Sequence, residues 1–342
     1  MAIRIPEAHK RPGVCYAVTD DGIELPVVDV THPAFAFDAG EPALTASIAA
    51  TLEDLTRFKT MTRDEIRAVA QESILLRGGL KAGGSFMSGM TTYLHKLGPD
   101  NLGRGYASDR DRRAAAQLLP LAFRHRLATV ARLVADRLST GLAGAGSPVH
   151  LFNIGGGTAL DSLNAMIVAR KTKVALAGRP IAIHVLDIDT EGPAFGARAL
   201  DALRAPGAPL HGLDVIFEHL PYNWADPAPL ADALQEARRA DGVLVASSEG
   251  GLFEYGSDEH ILANLTVMHE SAPAGFAFVG ALLMDKATLP ARLRWIGDAS
   301  GIAVRLLGLA ALREMARQSG WELDHVEDGP IHQIAVLKNT PA

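Results

Sequence analysis

The sequence contains a single cysteine, Cys15, among its 342 residues. One cysteine can form neither an internal disulfide nor a cysteine-based zinc site, and this scarcity is typical of a reducing compartment such as the cytoplasm. The sequence also lacks any uninterrupted apolar run approaching the ~18 residues that a membrane-spanning helix needs. We therefore expect no association with a membrane, and the charged, proline-containing first residues predict no secretory signal.

Basic residues are not in excess either. The sequence has 33 lysines and arginines against 39 aspartates and glutamates, so its formal net charge is −6. Proteins whose main partner is nucleic acid usually carry a basic face, and we predict that neither DNA nor RNA is a partner. The 12 histidines show no H-x-x-x-H spacing, and we predict no metal site.

A glycine-rich stretch at 141–148 divides the sequence into two parts. Residues 1–146 are predicted to form a mainly helical cap that includes a β-hairpin at 14–30, and residues 147–342 a second domain. A capping box beginning at Thr62 predicts the start of one helix. The predicted helices of the cap are 43–58, 62–76 and 110–138, with a kink at Pro120.

Short apolar runs alternate with amphipathic segments after residue 147. The predicted strands are 149–154, 181–186, 213–217, 242–246, 276–283, 321–326 and 331–337. Alternating strands and helices build a parallel sheet with helices on both faces, so we predict an α/β, doubly wound fold. The last two strands are separated only by a turn at 327–330, which predicts an antiparallel closing hairpin.

The clearest motif is a glycine turn between the first strand of this half and its helix, Phe-Asn-Ile-Gly-Gly-Gly-Thr-Ala at 152–159. Glycines allow the backbone to turn sharply and to approach a nucleotide closely. A dinucleotide site requires a further glycine where Leu160 stands, and a P-loop requires a Lys–Ser/Thr pair that is missing. The glycine turn therefore argues against both a dinucleotide site and a P-loop.

A carboxylate follows the second strand, in Val-Leu-Asp-Ile-Asp at 185–189. Asp187 would lie beside the glycine turn, where it could accept both hydroxyls of a ribose. The alternative is that Asp187 or Asp189 merely caps the next helix, and the two interpretations are compatible.

With these two motifs the sequence resembles the class I S-adenosylmethionine (SAM) dependent methyltransferases. The resemblance covers about residues 147–339, including the closing hairpin of their seven-stranded sheet. It implies a Rossmann-like methyltransferase fold and SAM as the cofactor. Two positions differ from the family pattern, since Asn153 replaces an acid and Ala159 a third glycine.

The resemblance also implies a set of cofactor-binding residues. The glycine turn would border the methionine part of SAM, the acid its ribose, the loop after the third strand its adenine, and the end of the fourth strand both SAM and the second substrate. These residues are Asn153, Gly155, Gly156, Gly157, Asp187, Asn223, Trp224 and Ser247.

Three residues are candidates for catalysis. Glu249 follows the fourth strand and could bind an amine or act as a base, or it could be a capping or solvated loop acid. His219 and Tyr222 follow the third strand, and a histidine near neutral pKa can accept a proton, although most single histidines do no chemistry. The glycine-bearing segment 78–105 is either a lid that presents Tyr93 and His95 to a substrate or a plain connector.

The leading functional hypothesis is a cytoplasmic SAM-dependent enzyme that methylates a small molecule. A second hypothesis is attack on the aminocarboxypropyl chain of SAM, by transfer or by closure to a ring such as azetidine-2-carboxylate, with release of methylthioadenosine. A third is a non-catalytic binding module with the same fold. A homodimer is compatible with the sequence.

Overall fold

The computed structural model describes residues 3–81, 86–102, 107–142, 146–296 and 304–339. The helices are α1 (Glu41–Thr60), α2 (Arg63–Gln71), α3 (Ile74–Lys81), α4 (Gly89–Lys96), α5 (Asp109–Ala115), α6 (Leu118–Gly141), α7 (Leu160–Lys171), α8 (Glu191–Arg204), α9 (Ala228–Arg239), α10 (Leu252–Tyr255), α11 (Asp258–Ser271) and α12 (Gly308–Gln318). The strands are β1 (Tyr16–Val18), β2 (Glu24–Pro26), β3 (Val149–Ile154), β4 (Pro180–Asp187), β5 (Asp214–Pro221), β6 (Val243–Ser248), β7 (Ala277–Leu283), β8 (Trp321–Asp328) and β9 (His332–Asn339).

The N-terminal part contains the predicted hairpin and capping box but breaks two predicted helices. β1 and β2 pair antiparallel, and Thr62 and Glu65 form the reciprocal hydrogen bonds of the box. The helix expected over 62–76 ends near residue 71, because Ser73 begins α3 as its cap. The helix expected over 110–138 divides before α6, where Pro120 occupies the first turn and needs no hydrogen-bond partner for its nitrogen.

The seven-stranded sheet confirms the predicted fold class. Its order is β5-β4-β3-β6-β7-β9-β8. The strands from β5 to β7 are parallel, and β9 lies antiparallel between β7 and β8. The reversal of strand order between β3 and β6 creates the crevice in which open α/β sheets bind ligands.

Helices cover both faces of this sheet. Val149 and Leu151 point to one face, where α6, α7, α8 and the N-terminal hairpin share one apolar cluster. Phe152 and Ile154 point to the other face, against α9, α11 and α12. Helix α6 of the N-terminal part therefore belongs to a core layer of the sheet. Among the described residues, no helix is long and apolar enough to cross a membrane.

Candidate functional site

The glycine turn follows β3 at the carboxyl edge of the sheet and leads into α7. Gly155 and Gly157 have φ angles of 60° and 50°, in the left-handed region that favours glycine. Ala159 also has a φ of 50° and is fully buried, so the side chain at this position carries strain that a glycine would relieve.

Asp187 binds the turn from the end of β4. Its Oδ2 accepts a hydrogen bond of 2.6 Å from the Gly157 N–H, and its Oδ1 accepts one of 2.8 Å from the Asp189 N–H. Burial raises the pKa of Asp187, against the lowering effect of these two bonds. Asp189 accepts from the backbone N–H groups of Glu191 and Gly192 at the start of α8. Asp189 therefore caps α8, while Asp187 faces the turn.

Asn153 lies behind the turn and is fully buried. Its Nδ2 donates to Asp161 Oδ1 at 2.7 Å and to Ser247 Oγ at 3.0 Å, and its Oδ1 accepts from Ser162 Oγ at 2.8 Å. All of these partners are buried. A small cavity opens at the turn, lined by residues that include Gly155, Gly157 and Trp224. The structure places Asn153 and Ser247 in a polar cluster under the turn, outside the lining of this cavity.

The residues after β5 divide between cavity, core and surface. Trp224 lines the cavity beside Gly155. Tyr222 is buried and donates to Asn264 Oδ1 at 2.5 Å, and burial raises its pKa. His219 Nε2 donates to the Asp187 carbonyl oxygen at 2.9 Å, and Asn223 is exposed. Neither Tyr222 nor His219 lines the cavity, because hydrogen bonds to the protein itself hold both side chains.

Glu249 lines the cavity at the end of β6 and is paired with two cations. It forms a short ion pair with Lys96 of α4, and its Oε1 accepts from Arg126 Nε of α6 at 2.7 Å. Burial alone would raise the pKa of Glu249, but Lys96 and Arg126 outweigh it and hold the pKa below its usual value. A carboxylate stabilised in this way is a weak base, so the predicted role of Glu249 as a general base loses its support.

Arg126 connects this carboxylate to a second one. Its Nη1 donates to Glu254 Oε1 at 2.6 Å and lies 3.0 Å from His332 Nε2, and its guanidinium stacks on the ring of Phe123. Burial lowers the pKa of His332, so the neutral ring can accept from Arg126. Lys96, Arg126, Glu249 and Glu254 thus balance one another's charges inside the protein.

Close packing at three glycines leaves little space above the turn. A Cβ atom on Gly89, the first residue of α4, would lie 2.7 Å from the Gly157 Cα. A Cβ on Gly251 would lie 2.9 Å from the Gly155 Cα, and one on Gly250 would lie 2.4 Å from Arg126 Nη2. Glycine is required at these positions because other parts of the protein pack there.

The residue types fit an adenosyl cofactor, but the space does not. Asp187 is an acceptor suited to ribose hydroxyls, and the exposed apolar Ile188 faces the cavity with Trp224. The cavity that these residues share with Lys96 and Glu249 measures about 60 Å³, whereas ligand pockets usually measure about 300–1,000 Å³. Helix α4 packs on the glycine turn and lines this cavity with Gly89, Thr92 and Lys96.

Tyr93 and His95 do not face this cavity, contrary to the lid hypothesis. Tyr93 is fully buried, donates to the Pro26 carbonyl oxygen and packs edge-on against Phe195. His95 Nδ1 donates to the Thr91 carbonyl oxygen within α4. The parts of the proposed lid at 82–85 and 103–105 lie outside the described residues.

Sequence reasoning missed Lys96, Arg126 and Ile188. Lys96 and Arg126 lie within helices of the N-terminal part, where nothing in the local pattern distinguishes a buried cation from a solvated one. Ile188 could have been predicted from the sequence. It lies between Asp187 and Asp189 at the end of a buried strand, so it faces the same crevice as these acids.

Comparison with known proteins supports the fold. No protein-family model and no curated protein matches the sequence. A solved structure described as a possible exported protein from Bordetella parapertussis superposes with a TM-score of 0.55 at 16% identity, over 91% of this chain and 100% of that one. This likeness concerns the fold alone.

Two weaker matches are methyltransferases. The 1,6-didemethyltoxoflavin-N1-methyltransferase of Burkholderia thailandensis, with bound S-adenosylhomocysteine, has a TM-score of 0.37 at 12% identity, over 62% of this chain and 79% of its own. Human N-acetylserotonin methyltransferase in complex with SAM has a TM-score of 0.37 at 12% identity, over 64% and 57% of the two chains. With its strand order, closing hairpin, glycine turn and strand-end acid, the chain has the class I SAM methyltransferase-like fold.

Proposed function

We propose that this protein is a SAM-dependent enzyme that methylates a small molecule. The observation that carries the proposal is the position of Asp187, whose carboxylate ends β4 and binds the N–H of Gly157 in the adjacent glycine turn. In a doubly wound sheet this is where a ribose binds, beside the point at which the strand order reverses.

Each part of the site then has a role in binding. Asp187 would accept the ribose hydroxyls, Ile188 and Trp224 would contact the adenine, and Glu249 would face the ammonium group of the cofactor. SAM supplies an electrophilic methyl group, so the protein need only align and desolvate a nucleophile. The acidic net charge and the apolar cavity residues Phe86 and Met87 favour a small molecule over nucleic acid as the substrate.

The test is the affinity for S-adenosylhomocysteine, measured by calorimetry. Asp187→Ala removes the ribose acceptor and should weaken binding by about 1.5–3 kcal/mol, the value of a charged hydrogen bond. Asp201→Ala, at an exposed position of α8, is the matched control and should bind like the wild type. Equal affinity of Asp187→Ala and wild type would show that the site is elsewhere.

A second measurement decides which carbon of SAM reacts. The protein is incubated with SAM and a cell extract, and the adenosyl by-product is identified by mass spectrometry. S-adenosylhomocysteine supports methyl transfer, whereas methylthioadenosine would establish reaction at the aminocarboxypropyl chain. Binding of SAM without either by-product under any condition would favour the non-catalytic module.

A further inference from the structure

Helix α4 stands between two cavities. Gly89, Thr92 and Lys96 line the small cavity at the glycine turn. Met90, Leu94 and neighbouring residues on the opposite side of α4 line a larger cavity of about 520 Å³, between the N-terminal hairpin, α3 and α8. A shift of α4 toward the larger cavity would therefore enlarge the smaller one.

Polar contacts at both ends hold α4 in its present place. At its start the Gly89 N–H donates to Asp189 Oδ2 at 2.9 Å, and the Gly89 backbone packs on Gly157. At its end the Lys96 ammonium pairs with Glu249, and the two side chains are only 5% and 11% exposed. The first contact covers the turn beside Asp187, and the second occupies the carboxylate that faces the cavity.

These two contacts of α4 occupy the positions at which the ligand of the proposed function would contact the protein. An adenosyl ligand with an amino-acid side arm presents a ribose to Asp187 and an ammonium group to a carboxylate. We infer that α4 is a displaceable plug, a helix that covers the glycine turn until a ligand moves it. The Lys96 ammonium then occupies the position beside Glu249 that the ammonium group of the ligand would take. This inference rests on the proposed function, because the class of ligand is taken from it.

The plug makes the apparent affinity depend on Lys96. Lys96→Met keeps the length of the side chain but removes the cation, which weakens the closed arrangement and leaves Glu249 available to a ligand. The apparent Kd rises in proportion as the binding-competent fraction falls, so this variant should bind S-adenosylhomocysteine at least about fivefold more tightly than wild type. Lys96→Arg keeps the cation and should stay within about twofold of wild type.

Two controls separate the ammonium exchange from general effects. Methylthioadenosine has the ribose but no ammonium group, so Lys96→Met should tighten its binding less than that of S-adenosylhomocysteine. Lys59→Met, at an exposed position of α1, should leave both affinities unchanged. Unchanged or weaker binding of S-adenosylhomocysteine by Lys96→Met would overturn the plug.

Hydrogen exchange of the wild-type protein provides a readout that does not depend on folding of the variant. S-adenosylhomocysteine should speed exchange of the Gly89 N–H, because the ligand displaces this group from Asp189 Oδ2. Slower or unchanged exchange there, with the ligand bound, would contradict the proposal.

The same readout separates failure of the plug from failure of the proposed function. If neither wild type nor Lys96→Met binds S-adenosylhomocysteine, the proposed function is wrong. In that case hydrogen exchange without ligand tests the plug. Faster exchange of the backbone N–H groups at 89–96 in Lys96→Met than in wild type and Lys59→Met would support it, and equal exchange in the three proteins would contradict it.

Discussion

Glu249 is a largely buried carboxylate whose two oxygens bind different cations from different helices. The Lys96 side chain is 5% exposed and that of Arg126 is 2% exposed, so neither cation can exchange Glu249 for water without moving its helix. Removing one member of a buried pair leaves charge without a partner in a medium of low dielectric constant. The side chain therefore connects α4 and α6 to the end of β6.

Glu249→Gln should destabilise the fold strongly. The amide keeps the shape of the side chain but removes the negative charge facing Lys96 and Arg126, and we expect a loss of about 3–5 kcal/mol in the free energy of unfolding. Urea denaturation monitored by circular dichroism measures this loss. The control is Glu327→Gln, which breaks a more exposed pair with Arg132 and should cost under ~1 kcal/mol. Similar losses in both variants would mean that burial adds nothing to the Glu249 pairs.

Position in the sequence indicated Glu249 but not its partners. An acid at the end of a strand, followed by Gly250 and Gly251, predicts a residue at the binding edge of the sheet. Lys96 and Arg126 are 153 and 123 residues away from Glu249. No helical periodicity or motif joins positions so far apart, and only the packing of α4 and α6 against the sheet brings these charges together.

Three parallel strands carry a row of titratable side chains across one face of the sheet. His150 of β3 stacks on His184 of β4, with ring centroids 5.3 Å apart, and its Nδ1 lies 3.0 Å from His184 Nε2. His184 Nδ1 donates to Glu218 of β5 at 2.9 Å. Because His184 donates from Nδ1, its Nε2 accepts from the His150 Nδ1–H, and this arrangement requires a neutral His184.

His150 should make stability depend on pH. Burial and the neighbouring His184 lower the pKa of His150 to about 4. The unfolded chain, with a histidine pKa near ~6.5, therefore binds more protons than the folded protein between these values, and stability falls as the pH drops from ~6.5 to ~4. The contribution of one histidine is at most about 1.4 kcal/mol per pH unit.

Replacement of His150 isolates this contribution. His150→Gln should flatten the plot of unfolding free energy against pH between ~6.5 and ~4, relative to wild type. His9→Gln, at an exposed position, is the control and should leave the slope unchanged. The same slope in wild type and His150→Gln would show that other groups govern the acid response.

The boundaries of elements were predictable where the signal was local. The capping box at Thr62 and the turn before β9 are each determined by residues within a few positions, and both are present. The break between α2 and α3 was missed because the cap at Ser73 is supported by a residue that is distant in the sequence. Asp111 Oδ1 accepts from the hydroxyl of Ser73 at 2.5 Å and from the Leu75 N–H at 3.1 Å, across more than 35 residues of sequence.

The two predicted parts of the protein share their apolar core. Leu127 and Val130 of α6 belong to the same buried cluster as Val149 and Leu151 of β3. Neither part can expose its side of that cluster to water without a large loss of buried apolar area. The division near residue 147 therefore separates two regions of the sequence that pack as one body.

Unfolding should consequently occur in a single transition. All three tryptophans follow residue 147, and Trp224 and Trp321 pack in the apolar cluster on one face of the sheet, so fluorescence reports mainly on that cluster. Far-UV circular dichroism also reports on the helices of the N-terminal part. The two signals should give the same midpoint in urea, as expected of one cooperative unit. An earlier loss of ellipticity at constant fluorescence would show that residues 1–146 unfold independently.

The shared cluster also determines when the chain can fold during its synthesis. The ribosome completes α6 before it makes β3, and much later it makes β6 and β7, whose Val245 and Val279 complete the same cluster. Nascent chains generally fold domain by domain, from the N-terminus onward. Here the apolar sides of the first helices stay unburied until well over half of the protein has been made. We therefore expect the growing chain to bind chaperones that recognise exposed apolar segments.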